Sequence, residues 1–442
     1  MGLVPLRHSS SESRFIVMPH AAPTRFKVIT TKLHQSEMPK SIAQTATFNV
    51  AATLAAGLGG VIIARVLGPV GRGEYAAITA WFGVAVIIGQ FGQPAALCFY
   101  VARDPISARE YVATSRTMLL LTGTVILTLG LLLAPILSHG RHGITIGYQI
   151  AFATLIISLI GVSYTFPLQA QHLHRWNLVK ASQPVPSLIG IIVLWRLRLL
   201  TLNSALIVLA VSTLLQLGYA YISCRKFGLA PGRTCMKLVR PLAKYGSTQL
   251  AASTSATLNL QLDQLVLSQL VPPADLGRYA IAASLTLLPL PLVSAIGNVA
   301  FPNLAAKRIA LSRANRLQRI AVIGAAGLTT GMLLPLAAAA NWLVPFIFGA
   351  AYRGAVPLIW ILIPGSIFLT SGQVAGDLLR GRNRPAAVAW AQGLGAVSTV
   401  LMLIALLPII GIYGAAVAST VAYGITLVFL LRALSRLSSS DQ

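Results

Sequence analysis

The sequence predicts an all-α integral membrane protein of about twelve transmembrane helices in two six-helix lobes related by a parallel repeat. Three observations carry this reading. Of 442 residues, 56% are hydrophobic and 10% charged, a balance a soluble domain of this size could hold only by exposing large apolar patches. From residue 45 onward the chain is a succession of apolar stretches, each of roughly 20 residues or more, the length that spans a hydrocarbon core about 30 Å thick. Finally, the chain matches itself at an offset of 204 residues. A transmembrane barrel is excluded, because runs such as Thr117–Leu137 lack the alternation of apolar and polar residues that a barrel strand needs.

The opening 45 residues are polar, rich in Ser, Thr and Pro, and lack the apolar core of a secretory signal. They are expected to form a basic, disordered cytoplasmic segment. Met38-Pro39-Lys40-Ser41 leads straight into the first span, so Met1 and Met38 both stand as translation starts. The spans are expected at 45–66, 75–102, 117–137, 146–170, 184–201, 203–223, 246–271, 278–305, 319–341, 354–379, 386–407 and 411–432. The fifth and sixth are divided only by a short polar break near Leu200–Asn203, beyond Arg196 and Arg198.

The net charge of +25 follows this topology. With the N-terminus inside, 27 of the 34 Lys and Arg residues fall on the inner side; Arg65, Arg72, Arg141, Arg196, Arg198, Arg278 and Arg353 fall on the outer side and at span ends. That asymmetry obeys the positive-inside rule and puts both termini in the cytoplasm. It also removes the nucleic-acid reading of the charge and leaves attraction to anionic lipid headgroups. Cys98, Cys224 and Cys235 have no metal-ligand spacing and imply no disulfide.

At the offset of 204, Lys40 matches Lys244, Ala52-Thr53-Leu54 matches Ala256-Thr257-Leu258, and Leu58 matches Leu262. Pro69, Gly73 and Tyr75-Ala76 then match Pro273, Gly277 and Tyr279-Ala280, nine identities in the 41 positions from 40 to 80. Both copies begin on the inner side, so the repeat is parallel, and in such transporters the substrate lies between lobes that rock against each other. The expected organisation is an N-terminal segment 1–45, a lobe 46–223, an inter-lobe linker 224–245, a second lobe 246–434 and a tail 435–442.

Two motifs then point to a family. Ala64-Arg65-Val66-Leu67-Gly68-Pro69-Val70-Gly71-Arg72-Gly73-Glu74-Tyr75 resembles the first hairpin of the polysaccharide or oligosaccharide flippases of the O-antigen type. Phe346-Ile347-Phe348-Gly349-Ala350-Ala351-Tyr352, followed by Ala355 and a new apolar span, resembles the short re-entry between their ninth and tenth helices. The resemblance covers residues 40 to 434. It implies the fold of the multidrug/oligosaccharidyl-lipid/polysaccharide exporter superfamily, two lobes around a central cavity, in a bacterial plasma (inner) membrane. It also implies transfer of a polyprenyl-diphosphate-linked oligosaccharide to the outer leaflet for cell-envelope polysaccharide biosynthesis, alongside glycan-assembly membrane proteins. The lipid II flippases resemble this group but usually add two helices and carry arginines in the inner half of the first span, where this chain has none.

Such cargo needs cations and hydrogen-bonding groups on inward helix faces. Thr47, Asn49 and Thr53 in the first span, and Gln249, Ser253, Thr257, Asn259, Gln261, Asp263 and Gln264 in the seventh, form a polar stripe that either lines a cavity or ties helices together. Lys40 and Lys244, matched by the repeat at the inner mouths of these helices, are the preferred diphosphate site, with Arg103 and Arg116 as further candidates. Asp263 and Asp377 are the carboxylates well inside spans, and each needs a partner. Arg65 is placed to approach Asp263 across the pseudo-axis as an outer gate or a static pair; alternatively Asp263 takes a proton or sodium ion. Asp377 lies three residues before Arg380 on one helix face. The inner clusters Arg380, Arg382, Arg384 and His172, His174, Arg175 read first as topology signals.

No nucleophile–base set is present, and the turn Gly68–Gly73 lacks the Lys-Ser/Thr of a nucleotide-binding loop. The chain therefore reads as a transporter rather than an enzyme, with no cofactor or nucleotide, driven by a proton or sodium gradient, the membrane potential or product removal. A cation-coupled multidrug exporter on the same fold is the competing reading, and it requires an acidic, aromatic pocket. A membrane glycosyltransferase would need a large outer loop with carboxylates, which is missing from the sequence.

Overall fold

The computed structural model describes residues 26–294, 311–382 and 384–440, with side chains from Gln44 onward except Ala46, Gln249, residues 251–260 and a few near the later breaks. Gln44–Gln442 forms one compact unit. All regular structure among the described residues is helical. The helices are α1 (Phe26–Gln90), α2 (Gln93–Arg103), α3 (Ala108–Leu137), α4 (His142–Gln171), α5 (Leu173–Ala181), α6 (Pro184–Arg196) and α7 (Leu202–Lys226) in the N-terminal half. They are followed by α8 (Met236–Leu270), α9 (Pro273–Thr286), α10 (Leu311–Phe348), α11 (Ala355–Gly381), α12 (Pro385–Ile410) and α13 (Ile412–Ser440). Nine stretches among the described residues are long and apolar enough to cross a membrane, and Thr47–Arg103, at 57 residues, is long enough for two crossings.

Helix α1 contains the first crossing and most of the second, joined at Gly68, whose φ of 66° breaks the helical backbone. A residue with a Cβ is strained in that left-handed region. The sixth crossing starts cleanly: Thr201 Oγ1 accepts from Ser204 N while Ser204 Oγ accepts from Thr201 N, a reciprocal cap that satisfies two of the amides a helix start leaves over. The expected re-entry after the ninth crossing is a single 3-10 turn, Ala350–Tyr352, introduced by Gly349 at φ 104°.

Two expectations need correction. The second crossing is interrupted at Phe91–Gly92, between α1 and α2. The fifth crossing does not begin at 184. It begins at Leu173 with α5, pauses at Ser182–Gln183 and continues as α6 to Arg196. His174, Arg175 and Lys180, expected in an inner loop, therefore lie in α5, the polar first half of a helical stretch long and apolar enough to cross a membrane. The sequence alone does not reveal this, since a polar first half of a helix has the composition of a loop.

The helices alternate direction, which assigns the connections to two faces. The turn face carries 68–73, 138–141, 197–201, 271–272 and 349–354; the terminal face carries 104–107 and 227–235. All seven arginines expected apart from the basic majority lie at the turn face or at helix ends beside it.

The repeat has a direct geometric expression at that face. A Cβ built on Gly73 would sit 1.7 Å from the Pro273 carbonyl oxygen, and one built on Gly277 would sit 2.0 Å from that of Pro69. The matched residues thus meet reciprocally, backbone against backbone, about the pseudo-axis. Around them, Ala64, Ala76 and Ala77 of α1 share a buried cluster with Leu267, Leu276, Tyr279, Ala280 and Tyr352 of the other half. Small side chains allow this approach, and in lipid, where apolar burial drives little association, close packing is what joins helices. Tyr352 Oη donates to the Ala64 carbonyl at 3.0 Å, and Arg65 Nη2 donates to the Phe346 carbonyl at 2.8 Å, so the halves are also hydrogen-bonded there.

The joint extends down one flank. Trp81 Nε1 donates to Ser268 Oγ at 3.1 Å, and Gly83 packs on the Gln261 amide. Gly92 lies under the Gly246 carbonyl, where an added Cβ would come within 2.0 Å, and Phe99 stacks on Tyr245 with ring centroids 4.7 Å apart. Each step down the second crossing meets a step toward the start of α8, so the two run antiparallel in contact from the turn face to the terminal face. Beyond it, the linker is tied to the first turns of α3: Cys235 N donates to Thr114 Oγ1 at 3.0 Å and Gly232 N to the Arg109 carbonyl at 2.9 Å.

Gly73→Ala must push backbone aside, and is expected to destabilise the protein by roughly 1–3 kcal/mol, the usual cost of overpacking. Gly57→Ala, where nothing lies within 4 Å of an added Cβ, is expected to be neutral or slightly stabilising. Thermal unfolding in detergent checks the pair; equal melting temperatures for both variants contradict the tight joint.

Candidate functional site

The polar residues of the first crossing do not stand alone. Gln44 Nε2 and His174 Nδ1 are 2.8 Å apart, Asn177 Nδ2 donates to Thr45 Oγ1 at 2.9 Å, and Lys180 Nζ donates to Asn49 Oδ1 at 3.1 Å. The three pairs rise together along α1 and α5, so these two helices run parallel and form a ladder of polar rungs. Thr53 Oγ1 turns back onto the Asn49 carbonyl at 2.8 Å, inside its own helix. The ladder exists because lipid cannot hydrogen-bond amides, and two polar faces satisfy each other.

The top rung carries a charge. Lys180 lies about 10 Å of helix rise beyond the start of α5, and its ammonium sits 4.6 Å above the Trp176 ring. No carboxylate pairs with it among the described residues. Beside it two buried polar atoms lack hydrogen-bond partners, Trp176 Nε1 and Asn177 Oδ1. The exposed Lys180 ammonium has donor capacity beyond its bond to Asn49, which a phosphoryl oxygen would take up. Lys180 was not singled out in the sequence, where it reads as one of the inner basic residues; Trp176, Asn177 and Lys180 on one helical face were the available signal.

In the C-terminal half, Asp263 is 5% exposed and enclosed by neutral donors. Tyr279 Oη and Ser419 Oγ both donate to its Oδ2, the latter at 3.3 Å, and Gln264 N donates to Oδ1 at 2.7 Å. Three helices, α8, α9 and α13, thereby converge on one carboxyl group. The expected approach of Arg65 is not made: Arg65 is exposed and bonded to the Phe346 carbonyl. Hydroxyl donors serve the buried carboxyl without the desolvation that a buried guanidinium would add. Asp377 and Arg380 do pair as expected, at 2.6 Å on one face of α11.

Of the other expected residues, Gln261 is half-buried and packed on Gly83 at the seam, its Oε1 without a hydrogen-bond partner. Lys244 and Arg103 are exposed at the terminal-face ends of α8 and α2, and Arg116 is half-buried in α3. The side chains of Lys40, Gln249, Ser253 and Asn259 lie outside the described residues. Among the described residues no group of three or more His, Cys, Asp or Glu is arranged to hold a metal ion.

Tyr279→Phe removes one donor from a buried carboxyl and is expected to cost about 1–3 kcal/mol of stability. Asp263→Asn, which keeps polar contacts to Ser419 and Tyr279, is expected to cost less than Asp263→Leu, which strands both hydroxyls. A ranking of melting temperatures with Asp263→Leu highest would contradict the cluster.

The chain matches the model of a family described as polysaccharide biosynthesis protein over residues 39–307. No curated protein sequence matches it. Its fold is similar to that of the lipid II flippase MurJ in an inward closed conformation, with a TM-score of 0.71 and 15% identity over 88% of this chain and 87% of that one. It is also similar to an inward-facing multidrug resistance MATE family transporter of the MOP superfamily, with a TM-score of 0.69 and 14% identity over 90% and 95%. A MOP superfamily transporter from Pyrococcus furiosus aligns with a TM-score of 0.60 and 12% identity over 91% and 96%. With the family model covering well over half of its length, this membrane chain, helical in all regular structure of its described residues, belongs to the polysaccharide biosynthesis protein family and has the MOP superfamily transporter fold.

Proposed function

We propose that this chain is a flippase that moves a polyprenyl-diphosphate-linked oligosaccharide across the bilayer by alternating access between its two lobes. The observation that carries the reading is Lys180. An exposed ammonium on a stretch long and apolar enough to cross a membrane, with an amide, an indole face and no carboxylate around it among the described residues, is a site for an anion brought from outside the protein, and the diphosphate of a lipid-linked glycan is such an anion. The amides, hydroxyls and imidazole lower on the ladder suit the hydroxyl-rich glycan. Lys244, Arg103 and Arg116 would attract the headgroup at the terminal face, with Lys40 as a fourth candidate, and that face would be cytoplasmic by the charge asymmetry.

The competing drug-exporter reading needs free carboxylates facing cationic cargo. The two carboxylates inside spans are already engaged, Asp263 by Tyr279 and Ser419 and Asp377 by Arg380. Asp263 is the better candidate for coupling to protons or sodium, because it has no cationic partner among the described residues, and its donors are hydroxyls able to turn when a cation arrives. The tight joint at the turn face fits a resting state closed on that side. Release there would require the Gly73–Pro273 and Gly277–Pro69 contacts to part.

Protein reconstituted in liposomes with a labelled polyprenyl-diphosphate glycan tests the reading. Label is expected to reach the far leaflet, and Lys180→Ala is expected to slow its movement about tenfold or more, the effect of losing one charge-assisted contact. The Lys180→Arg variant should retain part of the rate. Label confined to its starting leaflet under proton, sodium and potential gradients alike would overturn the proposal.

A further inference from the structure

The turn face holds a basic site that the transport cycle above does not use. Arg196 closes α6 and Arg198 stands in the connection 197–201 that leads to α7. Arg198 has φ 59°, in the left-handed region that a side chain disfavours. The connection is nevertheless firmly held: Arg198 N donates to the Trp195 carbonyl at 3.1 Å and Leu199 N to that of Leu194 at 2.9 Å. Leu200, 6% exposed, packs with Ile63, Ile191 and Ala205, and the Thr201–Ser204 cap follows at once. Arg196, Arg198, Trp195, Leu200 and Val66, the last from the end of the first crossing, line an open pocket of about 500 Å³.

The setting is apolar and lacks a counter-anion. Leu197 and Leu199 are 61% and 58% exposed, and Val66 and Trp195 are also exposed. The carboxylates at this face are taken, Glu74 by Arg141 and Asp275 by Arg278, each at 2.9 Å. Arg65 is bonded to the Phe346 carbonyl. Arg196 and Arg198 enter no ion pair among the described residues, and both lie on the face that the charge distribution otherwise keeps poor in cations. Arginines on a hydrogen-bonded, strained connection between two helical stretches long and apolar enough to cross a membrane, rimmed by exposed leucine and indole, match the geometry that binds a lipid phosphate: the forked guanidinium takes the phosphoryl oxygens, and the apolar rim takes the chain.

We propose that Arg196 and Arg198 form a binding site for the phosphate group of a lipid in the leaflet at the turn face. The phosphate belongs either to an anionic phospholipid of that leaflet or to a lipid diphosphate arriving there. The site requires only a lipid phosphate, so it stands whether or not the transport proposal holds. Native mass spectrometry of the full chain in detergent, titrated separately with phosphatidylglycerol and with polyprenyl diphosphate, tests it. The variants are R196Q/R198Q and, as a control at the opposite face, R432Q, with melting temperatures taken to check folding. R196Q/R198Q is expected to bind at least one of the two lipids roughly tenfold more weakly than wild type and R432Q. Loss for the diphosphate alone identifies the arriving lipid, and loss for phosphatidylglycerol alone identifies the resident one. Unchanged binding of both lipids by a folded R196Q/R198Q variant overturns the site.

Discussion

Everything in this molecule depends on how two helical halves hold together in a solvent that rewards neither apolar contact nor exposed backbone. The answer at the turn face is contact without side chains: Gly73 lies under the Pro273 carbonyl and Gly277 under that of Pro69. A reciprocal joint of this kind is possible because the two hairpins descend from one repeated sequence, so each supplies a glycine where the other supplies a carbonyl. It needs no charged partner, and dispersion between closely approached backbones replaces the hydrophobic drive that water would provide. The alanines of α1 and the Tyr352–Ala64 hydrogen bond complete it.

With the halves held on that face and along the second crossing, the remaining polar groups must be satisfied within the protein or by cargo. The ladder between α1 and α5 shows both outcomes. Its rungs are protein–protein pairs, Gln44 with His174, Thr45 with Asn177 and Lys180 with Asn49, while at its top the Trp176 indole N–H is left without an acceptor and the exposed ammonium keeps donor capacity to spare. The Asp263 cluster solves the opposite problem, gathering hydroxyls around a carboxyl group. The two sites lie in different halves, so movement of one half against the other would change what each can reach.

Much of this was legible in the sequence, where the physics is local. Span positions follow from twenty-residue apolar runs, and the repeat showed in Pro69, Gly73 and Tyr75 against Pro273, Gly277 and Tyr279. The Asp377–Arg380 pair is one turn of helix, and spacing alone finds it. The fifth crossing was not legible, because His174, Arg175 and Lys180 make its first turns as polar as a loop, and only α1's complementary stripe makes a helix affordable there. The partners of Asp263 were not legible for a related reason. Ser419 lies 156 residues away, and no spacing rule connects them; the repeat pointed toward Arg65, whose side chain finds a carbonyl at the surface instead.

The central claim is that the α1–α5 ladder receives a lipid-borne diphosphate, and the most direct measurement is where such a lipid touches the protein. A polyprenyl diphosphate carrying a photoreactive group beside the phosphates, activated with the protein in nanodiscs and mapped by peptide mass spectrometry, reports this. The account predicts labelling of Leu173–Ala181 and of the Thr45–Thr53 stretch, removed by excess unlabelled lipid. Labelling confined to lipid-facing positions such as Trp390, 81% exposed on α12, and indifferent to competition would contradict it.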